Sequence, residues 1–138
     1  MPSPRTPERR PRRSALAALP VAPGFQPMEA RLVEGLPQQA GWQFEPKWDG
    51  FRCLAFRAGG EVELRAKSGK SLTRFFPEMA EALLQLPARR FVLDGELAIP
   101  VGGELSFKAL QDRLHPAESR VRRLAGEQPA VLILFDCL

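Results

Sequence analysis

Lys47, Asp49, Gly50 and Arg52 fall together in the run Glu45-Pro46-Lys47-Trp48-Asp49-Gly50-Phe51-Arg52. A neutral lysine amine is a nucleophile, a carboxylate orients it or holds a cation, and an arginine fork pairs with phosphate oxygens. Asp-Gly is also a strong turn signal, so the same residues could form a solvated hairpin corner. A second acidic cluster, Asp94-Gly95-Glu96, sits inside another apolar run. Two such clusters in one small chain point to a site that handles charge.

The elements that must position these residues follow from periodicity. Gly41–Lys47 reads as a strand, with Trp42 and Phe44 alternating with Gln43 and Glu45. Residues 51–58 continue as a strand, Gly59-Gly60 permits a two-residue turn, and residues 61–66 return with Val62, Leu64 and Ala66 on one face. After the basic loop Lys67–Ser71, Phe76, Met79, Ala80, Leu83 and Leu84 repeat at three and four, with Pro77 suited to a first turn and Pro87 to a stop. The loop is not a phosphate-binding P-loop, because the GxxxxGK[ST] spacing is absent. Residues 91–99 form a strand, and Ser106 caps a helix bearing Phe107, Leu110 and Leu114. His115 at its end has no partner arrangement for catalysis and reads as a capping or solvent-facing residue. Arg120, Arg122 and Arg123 read as the solvated face of a further short helix. The apolar run Val131–Phe135 is long enough for a central strand buried on both faces.

Lys47-x-Asp49-Gly50-x-Arg52 resembles the nucleotidyl-lysine motif of the ATP-dependent DNA ligases and their relatives, the RNA ligases and capping guanylyltransferases. Leu93-Asp94-Gly95-Glu96 is similar to the superfamily's downstream carboxylate motif, and Phe135-Asp136 to the aromatic-acidic pair that follows it. EPKWDGFR (45–52), LTRFFPE (72–78), FVLDGE (91–96) and RLHPAESRV (113–121) resemble stretches of the small bacterial ligases of the LigC and LigD type. The resemblance runs from about Phe25 to Leu138.

That resemblance implies an α+β fold, mostly antiparallel sheet with helices outside, forming part of an ATP-grasp-like nucleotidyltransferase domain. Lys47 would attack the α-phosphate of ATP and carry AMP on nitrogen. Lysine's reference pKa, about 10.4, leaves the amine charged at neutral pH, so desolvation or a neighbouring cation must favour the neutral form. Asp49 would order the lysine loop and Arg52 would bind ribose or phosphate. Glu45 would recognise the adenine amino group, and Gly50 would let the backbone turn beside the nucleotide. Glu96 would contact ribose or a metal ion, expected to be Mg²⁺, with Asp94 as a second metal candidate. Phe135 would stack on the base, or else simply pack in the core. Where the family commonly has Ser-Arg-Asn-Gly, this chain has Ala66-Lys67-Ser68-Gly69. Lys67 keeps the charge but not the arginine fork, which implies weaker phosphate gripping.

Composition sets the frame for that site. The chain has 138 residues, 44% of them hydrophobic and 26% charged, enough for one globular domain. No apolar run approaches the ~20 residues that span a bilayer, and no signal peptide is evident, so a cytoplasmic, nucleoid-associated setting is expected. Five arginines against Glu8 in residues 1–13 carry the whole net charge of +4, and seven prolines fall in residues 1–27. Residues 1–24 are therefore expected to be a disordered basic tail able to neutralise DNA phosphates, or else an upstream linker. Cys53 and Cys137 lie in strand-like runs and are expected to be buried, reduced thiols.

Residues 25–138 are expected to be the first part of the adenylation domain, cut short on its C-terminal side. The later lysine motifs and the OB-fold domain of such ligases are not found. The leading reading is an ATP-dependent DNA ligase acting on nicked double-stranded DNA in repair, recombination or replication. Its complete sealing activity would depend on the missing half or on other repair proteins. The alternatives are an RNA ligase or capping-type enzyme, and a non-catalytic nucleotide- or DNA-binding remnant.

Overall fold

The structure is a computed structural model that describes residues 12–138. Its centre is a four-stranded antiparallel sheet with strands β1 (Phe51–Ala58), β2 (Glu61–Ala66), β3 (Arg90–Ala98) and β6 (Val131–Cys137) in the order β2-β1-β3-β6. A small separate hairpin pairs β4 (Pro100–Val101) with β5 (Glu104–Leu105). Three helices, α1 (Pro77–Gln85), α2 (Phe107–Arg113) and α3 (Glu118–Glu127), complete the α+β architecture.

The β1–β2 hairpin turns at Gly59-Gly60, and Gly59 takes φ +61°, a conformation that favours glycine there. Side-chain alternation then sorts β1 onto two faces. Cys53 and Ala55 join Leu64, Leu93 and Leu97 beneath the helices, packed with Phe76, Met79, Leu83 and Leu110. Leu54, Phe56 and Ala58 point the other way with Val92.

Something must cover that second face, and it is the chain's own N-terminal part. Ala15–Ala18 forms a 3₁₀ turn that buries Leu16 and Leu19 on Leu54, Phe56, Ala58 and Val92. Each buried leucine contributes roughly 2 kcal/mol by area. Glu61 fastens the strap by accepting from the Ser14 hydroxyl at 2.5 Å and the Ala15 N–H at 3.0 Å. Arg90 Nη2 donates to the Ala18 carbonyl at 2.9 Å. Within the stretch expected as a tail, Ser14–Leu19 thus lies on the sheet, its two leucines covering an apolar face. The arginine cluster up to residue 11 lies outside the described residues.

The helices form much as their punctuation predicts. Pro77 occupies the first position of α1, but Thr73 opens a separate 3₁₀ turn, Thr73–Phe75, and accepts from the Leu64 N–H. Ser106 Oγ accepts from Ala109 N–H and caps α2. His115 Nδ1 accepts from Ala117 N–H, a local capping role. On α3, Arg122 and Arg123 pair with Glu118 and Glu127 one turn away, on an exposed face.

Two buried arginines tie helices to their surroundings. Arg57, 5% exposed, donates through Nη1 to the carbonyls of Leu83, Leu86 and Ala88, and through Nε to that of Gly59. It satisfies the orphan carbonyls where α1 ends. Arg113 pairs with Glu78, which also accepts from Ala130 N–H, joining α2 to α1 and to the entry of β6.

Two expectations fail. Gly41–Lys47 forms no strand, and Trp42 and Phe44 are exposed. Both sides of β1 are already paired, and Pro46 offers no N–H to a ladder. Among the described residues strand β6 lies at the sheet edge, where Leu134 and Phe135 are partly exposed. Cys137 is exposed for the same reason, whereas burial pushes the Cys53 thiol up to about 12, leaving it inert.

Candidate active site

On the helix-free face the N-terminal strap covers the apolar residues of the sheet, and the polar ones beyond it remain open. Arg52 lies opposite Glu96 in the β1–β3 register, and Asp94 lies two residues along β3 on the same face. Arg52 Nε donates to Asp94 Oδ1 at 2.6 Å and Nη2 to Oδ2 at 2.7 Å. This bidentate pair, with the field of Glu96 and Glu29 nearby, raises the guanidinium pKa further despite partial burial. Asp94 is buried and both its oxygens are engaged. In this structure Asp94 orients Arg52.

Glu96 stands differently. Its Oε1 accepts the Gly50 N–H at 3.1 Å, which ties the loop carrying Lys47 to β3. Burial raises its carboxyl pKa above the usual range, against the opposing pull of the Gly50 N–H and the charges of Arg52 and Lys47. Gly50 permits this approach because a Cβ there would lie 2.2 Å from the Leu97 carbonyl oxygen.

A bulge places the aromatic residue. Asp94 pairs with Asp136 and Gly95 with Leu134, so Phe135 is the extra residue on β6 opposite the Asp94–Gly95 step. A Cβ on Gly95 would meet the Ile133 carbonyl oxygen at 2.5 Å, so this close passage of β6 requires glycine. The Phe135 ring is partly exposed with the Arg52 guanidinium 4.8 Å from its centroid. It forms a wall of an open cleft.

These residues line a cleft of about 480 Å³ that brings together Glu45, Lys47, Arg52, Lys67, Glu96 and Phe135. Gly50 lines an adjoining hollow with Arg52, Lys67 and Glu96. Asp94 lines another with Glu45, Arg52 and Phe135. Lys47 itself is exposed, with its Nζ 3.6 Å from Asp49 Oδ1, so the amine is open to a bulky substrate. Among the described residues no group of three histidine, cysteine or acidic side chains forms a metal cage. Glu96 Oε2 accepts no hydrogen bond from a described residue, and a divalent ion such as Mg²⁺ would need one such carboxylate oxygen beside phosphate or water oxygens.

Sequence reasoning missed Glu29, which lines all three spaces and pairs with Lys67 at 2.9 Å. It also missed the Met28 carbonyl, which accepts from Arg52 Nη2 at 3.3 Å. Both lie in an extended lead-in without periodicity, where no sequence signal marks them.

The sequence profile of the ATP dependent DNA ligase domain matches residues 27–138. The chain belongs to that family. Members similar to it include DNA ligase C2 of Mycolicibacterium smegmatis, 50% identical over 121 residues, and DNA ligase C of Mycobacterium tuberculosis, 48% identical over 120 residues. Each match covers 87% of this chain and 33% of the relative, so the chain spans about a third of the length of these ligases. Among solved structures, the ligase domain of M. tuberculosis LigD is similar, with a TM-score of 0.52 and 31% identity over 68% of this chain and 28% of that one. The ligase-domain family thus accounts for the antiparallel sheet and the outer helices. Among the described residues no helix is long and apolar enough to cross a membrane.

Proposed function

We propose that Lys47 is the nucleophile of an ATP-dependent nucleotidyl transfer, the first step of DNA ligation. The observation that carries this reading is the convergence of Lys47, Arg52, Lys67, Glu45, Glu96 and Phe135 on one open cleft. Its cationic side chains suit polyphosphate, and Phe135 offers an apolar ring to a base.

In the reaction, Lys47 Nζ loses a proton and attacks the α-phosphorus of ATP. A P–N bond forms, the bond to the β-phosphate oxygen breaks, and pyrophosphate leaves. Arg52, held rigid by Asp94, presents its fork to ribose or phosphate, and Lys67 neutralises phosphate charge at the opposite side. Asp49 keeps the lysine loop in register, and Glu45 recognises the adenine amino group. When bound at Glu96, Mg²⁺ offsets charge on the leaving group. AMP would then pass to the 5′-phosphate of a nick in duplex DNA, and the 3′-hydroxyl would displace it. A DNA substrate places the protein with repair partners in a cytoplasmic, nucleoid-associated setting.

Incubating the chain with α-labelled ATP and Mg²⁺ tests this. The reading expects acid-labile covalent label that vanishes in Lys47→Ala and is not formed from GTP. Nucleotide binding without covalent label would favour a non-catalytic binding protein, and preferential labelling by GTP a capping-type enzyme.

A further inference from the structure

The lead-in to β1 brings to the cleft a carboxylate that the nucleotidyl-transfer chemistry does not require. Glu29 lines the space that holds Lys47 and both adjoining hollows. Its Oε2 lies 2.9 Å from Lys67 Nζ, and Lys67 has no other anionic partner among the described residues. The chain position of Glu29 is set by its neighbour, because the Met28 carbonyl accepts from Arg52 Nη2. One carboxylate is therefore paired with a cation that would grip a polyphosphate, and its chain neighbour is bonded to another. The pair is more than half exposed, at 56% for Lys67 and 60% for Glu29. An incoming anion of higher charge can displace such a contact, since exposed pairs are individually weak.

We infer that Glu29 is an internal competitor for phosphate, which holds Lys67 across the mouth of the cleft and yields it when the polyphosphate of ATP arrives. The inference rests on the nucleotide reading of the site and adds a control to it. Lys67 exchanges one anionic partner for another on binding, so its attraction for phosphate is partly offset beforehand. After transfer, the displaced carboxylate returns to Lys67 and favours release of pyrophosphate. Glu29 acts on phosphate through Lys67 and touches no reacting atom, which makes it a positioning residue.

Equilibrium binding of ATP, inorganic pyrophosphate and adenosine to the full chain separates this from a merely structural role. Glu29→Gln is expected to tighten ATP and pyrophosphate about two- to five-fold, the scale of an exposed ion pair, and to leave adenosine unchanged. In a Lys67→Met background the same substitution is expected to have no effect. Unchanged or weaker ATP binding in Glu29→Gln overturns the inference, as does equal tightening of adenosine or a gain that persists without Lys67. A wild-type chain that binds no ATP overturns the nucleotide reading itself, whereas wild-type binding with an unresponsive Glu29→Gln overturns only the role of Glu29.

Discussion

Arg52 and Asp94 form a two-pronged pair across β1 and β3, at 2.6 and 2.7 Å, with the Phe135 ring against the guanidinium. The arginine that faces the cleft therefore cannot wander, because two strands of one sheet fix it. Asp94→Asn removes the charge and one of the two acceptors. Its expected cost in urea unfolding is about 2 kcal/mol, between the exposed and buried limits for ion pairs, with weaker ATP binding alongside. Unchanged stability and affinity would show that Arg52 is held by other means.

Gly50 is required by its neighbours rather than by its own backbone angle. Gly50→Ala puts a methyl group against the Leu97 carbonyl and strains the hydrogen bond to Glu96. A loss of about 1–3 kcal/mol is expected, as for other overpacked sites. Gly60→Ala is the control, because a Cβ there meets nothing within 4 Å. Equal stability of the two variants in denaturant titrations would contradict the close approach.

Arg57 is a buried cation with carbonyl partners and, among the described residues, no carboxylate bonded to it. In Arg57→Met the stem volume is largely kept, while the carbonyls of Leu83, Leu86 and Ala88 lose a donor. Thermal or urea unfolding should report a loss of about 3 kcal/mol, and amide exchange should rise first near the end of α1. A variant as stable as wild type would mean that water satisfies those carbonyls equally well.

Much of this architecture was legible because local signals and tertiary packing agree. Residues 51–66 alternate at period two around Gly59-Gly60, and the hairpin forms as that pattern requires. Ser106 caps its helix, and Met79 and Leu83 bury the face their spacing predicts. The failures arise where context overrides pattern. Trp42 and Phe44 alternate like a strand, yet among the described residues no strand pairs with them. Leu16 and Leu19 lie in a proline- and arginine-rich stretch, and only the exposed far face of β1 makes them structural. At the site, the motif residues Lys47, Arg52 and Glu96 do share a cleft. That the Arg52 fork reaches Asp94 was not readable, since it depends on the register of β1 against β3. Glu29 was invisible because an ion pair between residues 29 and 67 leaves no local trace.

Acid should loosen the N-terminal strap. Hydrogen bonds from the Ser14 hydroxyl and the Ala15 N–H hold the Glu61 carboxyl pKa below its ordinary value of 4.5. A depressed carboxyl contributes stability that is fully present above the unfolded-state pKa and is lost as pH falls through the folded one. Amide exchange or limited proteolysis near Leu16 should therefore increase below about pH 4.5, the ordinary carboxyl value. Glu61→Gln should be looser at neutral pH and lose this dependence. An identical acid response in that variant would assign the effect to another carboxylate.

The most direct test of the whole account is to map the adenylated residue. After the chain is incubated with ATP and Mg²⁺, peptide mass spectrometry under non-acidic conditions should place AMP on Lys47, and Lys47→Arg should carry none. AMP found on Lys67, Lys70 or Lys108, or unchanged modification in Lys47→Arg, would contradict the assignment of Lys47 as the nucleophile.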